Sequence, residues 1–257
     1  MVNTIGVVGG GVVGHATARS FMEWAEVRVY DRDPAKRTHT ELVTLESDLV
    51  FVCLPEGKVS DWFTGLNVFG GYQYRNFVIK STVPIGTTRK VAGMGFKTVV
   101  HSPEFLTARC AVTDAQLPSR NVVGLTGNGF NAPEYRDLLS RRFPGVPVLT
   151  MSSDESEAVK IIQNAFFAVK VAFFNEAEEL CDKLGLDWET VHDAILADGR
   201  IAHSHTRVPG PDGRFGFGGA CLPKDLNQFI KCSVDAGLFP LVSQGAAVRN
   251  EGDRERV

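Results

Sequence analysis

The sequence predicts an α/β fold, in which a doubly wound parallel sheet is followed by a smaller, all-helical domain with one long helix. Short apolar runs rich in β-branched residues alternate with helical stretches through residues 1–151, a pattern typical of parallel sheets covered on both faces. A glycine-rich turn joins the first run to the first helix. From residue 152 the strand pattern stops and a long amphipathic stretch begins, so we expect two domains, residues 1–151 and 152–257.

Composition and charge argue against several classes of protein. A hydrophobic content of 44% and a charged content of 22% are ordinary for a soluble globular chain, and a net charge of −3 offers no basic surface for nucleic acid. We find no apolar run long enough to span a membrane and no signal peptide. The five cysteines form no CxxC pair, which fits a reducing cytosol. The pair His203 and His205 could bind a metal ion only with a third ligand, and the sequence shows no evident one. We therefore expect a cytoplasmic protein without a metal site.

The strands of the sheet carry candidate site residues at their carboxyl ends, where such sheets bind ligands. Thr82 and Glu104 each follow a strand and are candidates for contacts with cofactor and substrate. The alternatives are a turn residue before Pro84 for Thr82, and an acid stabilised by a helix N-terminus for Glu104. The predicted strands are Thr4–Val8, Val27–Tyr30, Leu49–Leu54, Phe77–Lys80, Val99–His101, Asn121–Leu125 and Val146–Leu149.

The first strand, the glycine turn and the second strand together predict dinucleotide binding. Gly9 to Gly14 read GGGVVG, which fits the GxGxxG pattern between a strand and a helix, and Asp31 ends the second strand. The glycines permit a tight turn, close approach of a pyrophosphate to the helix N-terminus, and close helix–strand packing. Asp31 would bond a ribose hydroxyl and favours NAD, although Arg32 beside it keeps NADP as an alternative. The predicted sheet is thus of the Rossmann type, with cofactor contacts from Gly9, Gly11, Val12, Val13, Gly14 and Asp31.

A helix from Glu155 to Leu184 opens the second domain and is expected to form the interface of a homodimer. Its apolar face is too extensive for one chain to bury, which favours packing against a second copy. Lys160 and Asn164 are four residues apart and share one side of this helix, where they could hold and polarise a substrate oxygen, or could form a solvated polar face. The apolar positions are Val159, Ile162, Ala165, Phe166, Val169, Phe173 and Ala177.

After a second helix over residues 187–197 and a polar segment over residues 198–213, a glycine-rich stretch carries a cysteine. Residues 214–225 read RFGFGGACLPKD, with Cys221 at the expected start of a helix and Lys224 three residues further on. A helix N-terminus and a nearby lysine both favour a thiolate, which describes an activated nucleophile. The alternative is a glycine-rich turn with a buried structural cysteine. We expect the last helix to run from Leu226 to about Ala236, and the charged residues 250–257 to be frayed.

These motifs, in this order, resemble those of the UDP-glucose/GDP-mannose dehydrogenase family of nucleotide-sugar 6-dehydrogenases. In that family two hydride transfers to NAD oxidise a sugar C6 alcohol to a carboxylate, a step of polysaccharide biosynthesis, through a thiohemiacetal and a thioester on a cysteine. The matching pieces are GGGVVG, Ser81-Thr82-Val83-Pro84 with Gly86-Thr87-Thr88, SPEFL at Ser102–Leu106, Glu157-x-x-Lys160-x-x-x-Asn164-Ala165-Phe166, FFNE at Phe173–Glu176, and FGFGGACLPKD at Phe215–Asp225.

The resemblance implies roles for individual residues. Cys221 would be the nucleophile, Lys160 would stabilise the oxyanion, and Asn164 would hold the substrate oxygen. Asp225 would position a water, and Glu104 would act as general base in hydrolysis. The resemblance places Thr82 at the nicotinamide. It also implies that Arg200 reaches the substrate site of the partner subunit. The remaining implied contacts are Lys36, Leu54, Thr82 and Lys224 to the cofactor, and Phe105, Leu106, Arg200, Phe217 and Gly218 to the substrate.

Three departures from the family pattern keep other functions open. Full-length members continue into a third, nucleotide-binding domain, so the resemblance implies a shortened form. The segment between Asp31 and Leu49 is too short for the usual extra strand and helix, and Ala108 stands where the family has a second glutamate. One alternative is a two-domain β-hydroxyacid-type dehydrogenase, which also has a helical Lys-x-x-x-Asn and needs no cysteine. Another is a non-catalytic NAD-binding subunit.

Overall fold

The computed structural model describes residues 2–96, 98–127 and 132–256. The described residues form a seven-stranded sheet with the order β2-β1-β3-β4-β5-β6-β7, and the α/β fold class is confirmed. The first five strands of this order are parallel, whereas β6 pairs antiparallel with β5, and β7 is parallel to β6. The strands are β1 Thr4–Val8, β2 Glu26–Tyr30, β3 Leu49–Val52, β4 Phe77–Ile79, β5 Val99–His101, β6 Asn121–Leu125 and β7 Val148–Ser152.

The sheet departs from the predicted parallel arrangement at the β5–β6 pair, which is antiparallel and places His101 opposite Gly124. The physical reason is that a buried apolar run looks the same in either direction, so the sequence of β6 does not reveal its orientation. The helices are α1 Val12–Phe21, α2 Glu41–Leu45, α3 Glu56–Phe69, α4 Thr87–Gly93, α5 Ala111–Gln116, α6 Pro133–Arg142, α7 Ser153–Leu184, α8 Trp188–Ala197, α9 Leu222–Asp235 and α10 Leu241–Glu255, with short 3₁₀ turns at Pro34–Lys36 and Ala108–Cys110.

The sheet is buried on both faces, which explains why β3 reads as a continuous apolar run. Its side chains alternate between two cores: Leu49 and Phe51 enter one, and Val50 and Val52 enter the other. The first core stacks Phe21 on Phe51 at a centroid distance of 5.4 Å. The second core is built around an edge-to-face aromatic group of Trp62, Phe63, Phe77 and Phe96.

The first turns of α7 are anchored by a buried carboxylate. Glu157, 1% exposed, accepts hydrogen bonds from the backbone N–H of Gly86 at 2.5 Å, and from the N–H and hydroxyl of Thr88 at 2.8 and 2.6 Å. These donors lie at the N-terminus of α4, where a helix favours negative charge. Burial raises the pKa of Glu157, and the three hydrogen bonds partly offset that effect. The GTT and Glu157 motifs thus have a structural function in holding α7.

The chain divides into two compact units, residues 1–160 and 161–257, and the division falls inside α7. The domain boundary expected between residues 151 and 152, at the start of this helix, stays a prediction. The second unit has its own core, formed by Ala165, Ala168 and Ala172 of α7 with Phe217, Leu226 and Ala246. No helix in the described part of the chain is both long and apolar enough to cross a membrane.

The expectation of a frayed C-terminal stretch is wrong, because residues 250–255 belong to α10. Charged side chains of this region pair with carboxylates of α7. Arg249 lies 2.6 Å from Glu179, and Arg256 lies 2.9 Å from Glu178. The sequence could not reveal these partners, which are about seventy positions away, so the charges looked like those of a solvated tail.

Candidate active site

The glycine turn between β1 and α1 has the geometry that a pyrophosphate site requires. Gly9 has a φ of +100°, and a Cβ there would overlap the carbonyl group of Cys53. A Cβ at Gly14 would overlap the carbonyl oxygen of Gly9. Gly11, the N-cap of α1, has nothing within 4 Å of its Cβ position. The first and last glycines are therefore needed for the turn and for packing, whereas Gly11 leaves open space at the N-terminus of a helix that begins with Val12 and Val13.

The predicted ribose ligand lies beside this turn. Asp31 accepts hydrogen bonds from the N–H of Gly10 at 2.7 Å and from that of Asp33 at 2.8 Å. The carbonyl oxygen of Lys36 would be 2.6 Å from a Cβ at Gly10. The Lys36 ammonium lies 3.2 Å from the carboxylate of Asp33. Leu54 is on the other side, with its Cδ2 3.4 Å from a Cβ placed at Gly9. The structure thus places Asp31, Lys36 and Leu54 around the glycine turn, and their contacts with a cofactor stay a prediction.

A buried ion pair joins two of the predicted catalytic residues in the first unit. The ammonium of Lys160 lies 3.0 Å from Oε1 of Glu104, with the two side chains 5% and 12% exposed. Oε2 of Glu104 accepts a hydrogen bond from the N–H of Leu106 at 2.7 Å. The Phe105 ring lies near two cations: its centroid is 5.6 Å from the Lys160 ammonium and 4.0 Å from the Arg120 guanidinium. The SPEFL motif therefore forms one polar cluster with the start of α7.

Lys80 belongs to this cluster and was not identified from the sequence. Its ammonium donates to the carbonyl oxygen of Pro103 at 3.3 Å, and with Glu104 it lines a cavity of about 320 Å³. Burial lowers the pKa of Lys80 to about 8, and the charge of Lys160 adds to this effect while Cys53 and Glu104 oppose it. A signal was available, because Lys80 ends a predicted strand at the edge of the sheet where ligands bind. Burial also raises the pKa of Cys53 to about 12, so this thiol stays protonated.

Two further positions of the first unit bear on the predictions. Thr82 is half-buried, and it follows Ser81, whose hydroxyl donates to the carbonyl oxygen of Leu54 at 2.6 Å. Ala108 is exposed in the short 3₁₀ turn after the SPEFL motif. The position where the family pattern has a second glutamate therefore lies on the surface of the unit, without an acidic group.

The second unit holds a polar cluster of its own residues, in which Asp225 follows the cysteine by four positions. Asn164 donates from Nδ2 to Oδ2 of Asp225 at 2.6 Å, and both residues are buried, at 7% and 1% exposure. Lys224 forms an ion pair with the same carboxylate. Cys221 is exposed and is the N-cap of α9, and its carbonyl oxygen accepts the N–H of Asp225 at 2.9 Å. The alternative of a buried structural cysteine is thus wrong.

Three other residues predicted to contact the substrate, Phe217, Gly218 and Arg200, lie in different surroundings. The side chain of Phe217 is 4% exposed and packs in the core of the second unit, so only its backbone could face a ligand. Gly218 lies against Arg254, whose Nη2 would be 2.6 Å from a Cβ at that glycine. Arg200 is exposed and paired with Asp198. His205 of the HxH pair stacks on Phe167 at 4.1 Å, and among the described residues no group of three or more histidines, cysteines or acids is placed to hold a metal.

Comparisons with known proteins find several dehydrogenases similar to this chain. Residues 154–251 match the model of the UDP-glucose/GDP-mannose dehydrogenase family, central domain. The UDP-glucose 6-dehydrogenase TuaD of Bacillus subtilis is 30% identical over 223 residues, which cover 83% of this chain and 44% of that protein. The solved UDP-glucose dehydrogenase of Pyrobaculum islandicum is 26% identical with a TM-score of 0.78, covering 98% of this chain and 68% of that one. The 3-hydroxyisobutyrate dehydrogenase of Mycobacterium tuberculosis, 21% identical, shares the fold with a TM-score of 0.77 over 99% of this chain and 95% of that one.

The glycine turn, the acid after β2 and the helical second unit define the fold of a Rossmann-type dehydrogenase. Within that class, the matches support the UDP-glucose/GDP-mannose dehydrogenase family, whose central domain is similar to residues 154–251. The chain spans less than half the length of the curated UDP-glucose 6-dehydrogenases that it matches.

Proposed function

We propose that this protein is an NAD-dependent oxidoreductase that converts the C6 alcohol of a nucleotide sugar to the carboxylate. The observation that carries the proposal is the second-unit cluster: an exposed cysteine at the N-cap of α9, followed by the buried Asp225 that Asn164 holds. Relatives that match this chain are named UDP-glucose 6-dehydrogenase, which supports a nucleotide sugar as substrate.

The first unit fits NAD as the oxidant. The open space at Gly11 would accept the pyrophosphate, and Asp31 would bind the ribose and repel a 2′-phosphate. Lys36 and Leu54 border the same turn. When bound, NAD supplies the acceptor for the hydride removed in each of the two oxidations.

Cys221 is the proposed nucleophile. Its thiolate adds to the carbon of the C6 aldehyde, so that a C–S bond forms and the carbonyl oxygen takes a proton as a thiohemiacetal. Loss of hydride from this adduct gives a thioester, and attack of water then releases the carboxylate and returns the thiol. Exposure gives substrate access to the sulfur, and a helix N-terminus favours the thiolate.

Charged and amide groups are proposed to stabilise the oxygen of the reacting carbon. Lys160 supplies a fixed cation, and Asn164 keeps a second N–H available after its bond to Asp225. Asp225 would orient the water that attacks the thioester, and Glu104 would accept its proton. We assign Thr82 to the nicotinamide end of the cofactor, on its position after β4.

We further propose a homodimer formed through α7. Ile162, Phe166, Phe173, Leu180 and Leu184 are 52–64% exposed, and their spacing places them on one narrow stripe of the helix. Exposed aromatic and aliphatic side chains in a continuous stripe mark an interaction surface. Arg200, exposed after α8, would then reach the substrate site of the partner subunit.

The experiment is to count NADH formed per UDP-glucose consumed, with wild-type protein, Cys221→Ser and the control Cys110→Ser, which changes another exposed cysteine. We expect two equivalents of NADH with the wild type and the control, and loss of the second oxidation with Cys221→Ser. If wild type and Cys221→Ser both form one equivalent of NADH per sugar, the result would favour a β-hydroxyacid-type dehydrogenase. Intact NAD binding without turnover of any nucleotide sugar would favour a non-catalytic subunit.

A further inference from the structure

We propose that α10 positions the reactive cysteine, and that Asn250 is its principal positioning residue, acting through the glycine-rich turn over residues 216–219. This inference rests on the role proposed above for Cys221. Asn250 does not need to touch substrate or cofactor, because its effect passes through the backbone that leads to the cysteine.

Two asparagines from different helices hold consecutive backbone groups of this turn. The N–H of Gly216 donates to Oδ1 of Asn175 in α7 at 2.8 Å, and the N–H of Phe217 donates to Oδ1 of Asn250 in α10 at 2.6 Å. Asn175 is 1% exposed, and its Nδ2 donates to the carbonyl oxygen of Val171, which fixes the orientation of its amide. The turn is therefore held between α7 and α10.

The glycines on either side of Phe217 make this backbone contact possible. Gly216 has a φ of +69°, and a Cβ there would lie 2.5 Å from Oδ1 of Asn250 and 3.0 Å from the Cβ of Asp253. At Gly218, a Cβ would lie 2.6 Å from the Arg254 guanidinium. The positive φ of Gly216 favours glycine at that position, whereas a side chain at Gly218 would displace the Arg254 guanidinium from the turn. The Phe217 side chain anchors the turn in the core of the second unit, whereas the backbone N–H groups of Gly216 and Phe217 are held by the asparagines that α7 and α10 supply.

Arg254 holds the segment just before the turn. Its Nη1 lies 2.9 Å from the carboxylate of Asp212 and donates to the carbonyl oxygen of Phe215 at 3.3 Å. In return, Arg214 donates to the carbonyl oxygen of Arg254 at 2.7 Å. The segment from Asp212 to Phe217 therefore has several contacts to the last turns of α10, on both side chains and backbone.

The position of α10 is itself fixed by ion pairs to α7. Arg249 bridges Glu179 at 2.6 Å and the buried Asp253 at 2.7 Å, and Arg256 pairs with Glu178 at 2.9 Å. Only Gly218, Gly219 and Ala220 separate Phe217 from Cys221, so a shift of the Phe217 amide is passed along a short backbone to the N-cap of α9. Loss of the Asn250 acceptor should therefore loosen the geometry in which the helix terminus favours the thiolate.

The test measures the reactivity of Cys221 without any sugar. Wild type, Asn250→Ala, Asn250→Asp and the control Glu251→Gln are alkylated with iodoacetamide over a range of pH, and each cysteine is followed by peptide mass spectrometry. Asn250→Asp keeps the acceptor oxygen, and Glu251 is the exposed neighbour of Asn250 on the same helix. Cys110, exposed in the first unit, is the reference within each sample.

We expect Asn250→Ala to slow alkylation of Cys221 about two- to fivefold near neutral pH, the factor that corresponds to losing a helix-terminus interaction. The pH of half-maximal rate should move upward, while Asn250→Asp, Glu251→Gln and the rate at Cys110 stay close to wild type. In the NADH assay, kcat should fall more than KM changes. An unchanged Cys221 rate in Asn250→Ala would overturn the inference.

Two further outcomes separate the inference from the function it rests on. If alkylation responds as expected but no variant and no wild type oxidises a nucleotide sugar, the positioning stands and the proposed function fails. If Asn250→Ala does not fold, hydrogen exchange of wild-type peptides covering residues 214–220 decides instead. Protection of the Phe217 amide is expected, and exchange at the rate of an open loop would refute the inference.

Discussion

Replacing Lys160 by methionine should destabilise the protein through the carboxylate that it leaves behind. Glu104 is 12% exposed and pairs with a lysine that is 5% exposed, so the substitution removes the partner cation from a nearly buried charge. Breaking a buried ion pair from one side costs roughly 3–5 kcal/mol. Because Glu104 keeps its hydrogen bond from Leu106, we expect a cost near the lower end, about 3 kcal/mol.

The loss in free energy of unfolding should come from the unpaired charge of Glu104 rather than from the missing Lys160 side chain itself. The double variant Glu104→Gln with Lys160→Met removes both charges and should recover most of the loss. Urea unfolding of the wild type, the two single variants and the double variant gives the four free energies of a double-mutant cycle. A matched control is Lys183→Met, which breaks an exposed ion pair with Glu179 in the same helix and should cost at most about 1 kcal/mol.

Two results would refute this reasoning. A cost of Lys160→Met no larger than that of the exposed control would mean that the pair is screened by water. A double variant whose cost equals the sum of the single variants would mean that the two residues do not interact. The double variant should still fail to oxidise a nucleotide sugar, which would separate the proposed catalytic part of Lys160 from its contribution to stability.

Three further predictions concern other parts of the chain. Gly14→Ala should lower the melting temperature because its Cβ would overlap the carbonyl oxygen of Gly9, whereas Gly11→Ala should leave stability unchanged and weaken binding of NAD in a fluorescence titration. The pKa of Lys80 is about 8 against an ordinary 10.5, so between these pH values the unfolded state holds more of this proton, and the stability that Lys80 contributes should rise by about 3 kcal/mol at about 1.4 kcal/mol per pKa unit. Cys53, whose pKa is raised to about 12, acts in the opposite direction above pH 9, so the rise is read from the difference between wild type and a Lys80 variant. Lys80→Met should lose this rise, as measured by urea unfolding at each pH. Phe173→Asp, which places a charge on the exposed stripe of α7, should give a monomer by light scattering.

Each of these predictions has a contrary outcome. Equal melting temperatures for the two glycine variants would mean that the turn can relax around a methyl group. A difference between wild type and Lys80→Met that is constant from pH 8 to 10.5 would mean that Lys80 is well hydrated. For the dimer, the control is Val68→Asp, which changes an exposed apolar residue of α3 and should leave the mass unchanged. A monomeric wild type would contradict the proposed dimer.

The parts of the fold that the sequence predicted correctly depend on local signals. Runs such as Leu49–Val52 reveal a buried strand because both of their faces are apolar, and the glycine turn reveals itself by spacing alone. The orientation of β6 is a long-range property, which no residue within the strand determines. The same holds for α10, whose charges are balanced by acids of α7 that are remote in the sequence.

The site shows the same division between local and long-range information. Cys221 could be found because glycines precede it and a helix follows, and Glu104 because it follows a strand. Their partners could not be deduced, because they are remote in the sequence. Asn164 contacts Asp225 across 61 positions, and Lys160, which pairs with Glu104, is the last residue of the first unit. Lys80 was missed although it ends a predicted strand, because a lysine there looks like a surface residue until its burial is known.

The charge balance of the two clusters bears on how they could work. Each one pairs a lysine with a carboxylate, Lys160 with Glu104 and Lys224 with Asp225, and the first also holds Lys80, whose ammonium donates to a backbone carbonyl oxygen. A cation that is already paired stabilises a developing oxyanion less than one whose partner has been neutralised. If Glu104 accepts the proton of the attacking water, its charge disappears at the moment when negative charge forms on the sugar carbon's oxygen. Lys160 then acts on that oxygen alone, so the oxyanion cation of the proposed mechanism gains when its partner is neutralised, whereas the same pairing makes Glu104 a weaker base before the reaction.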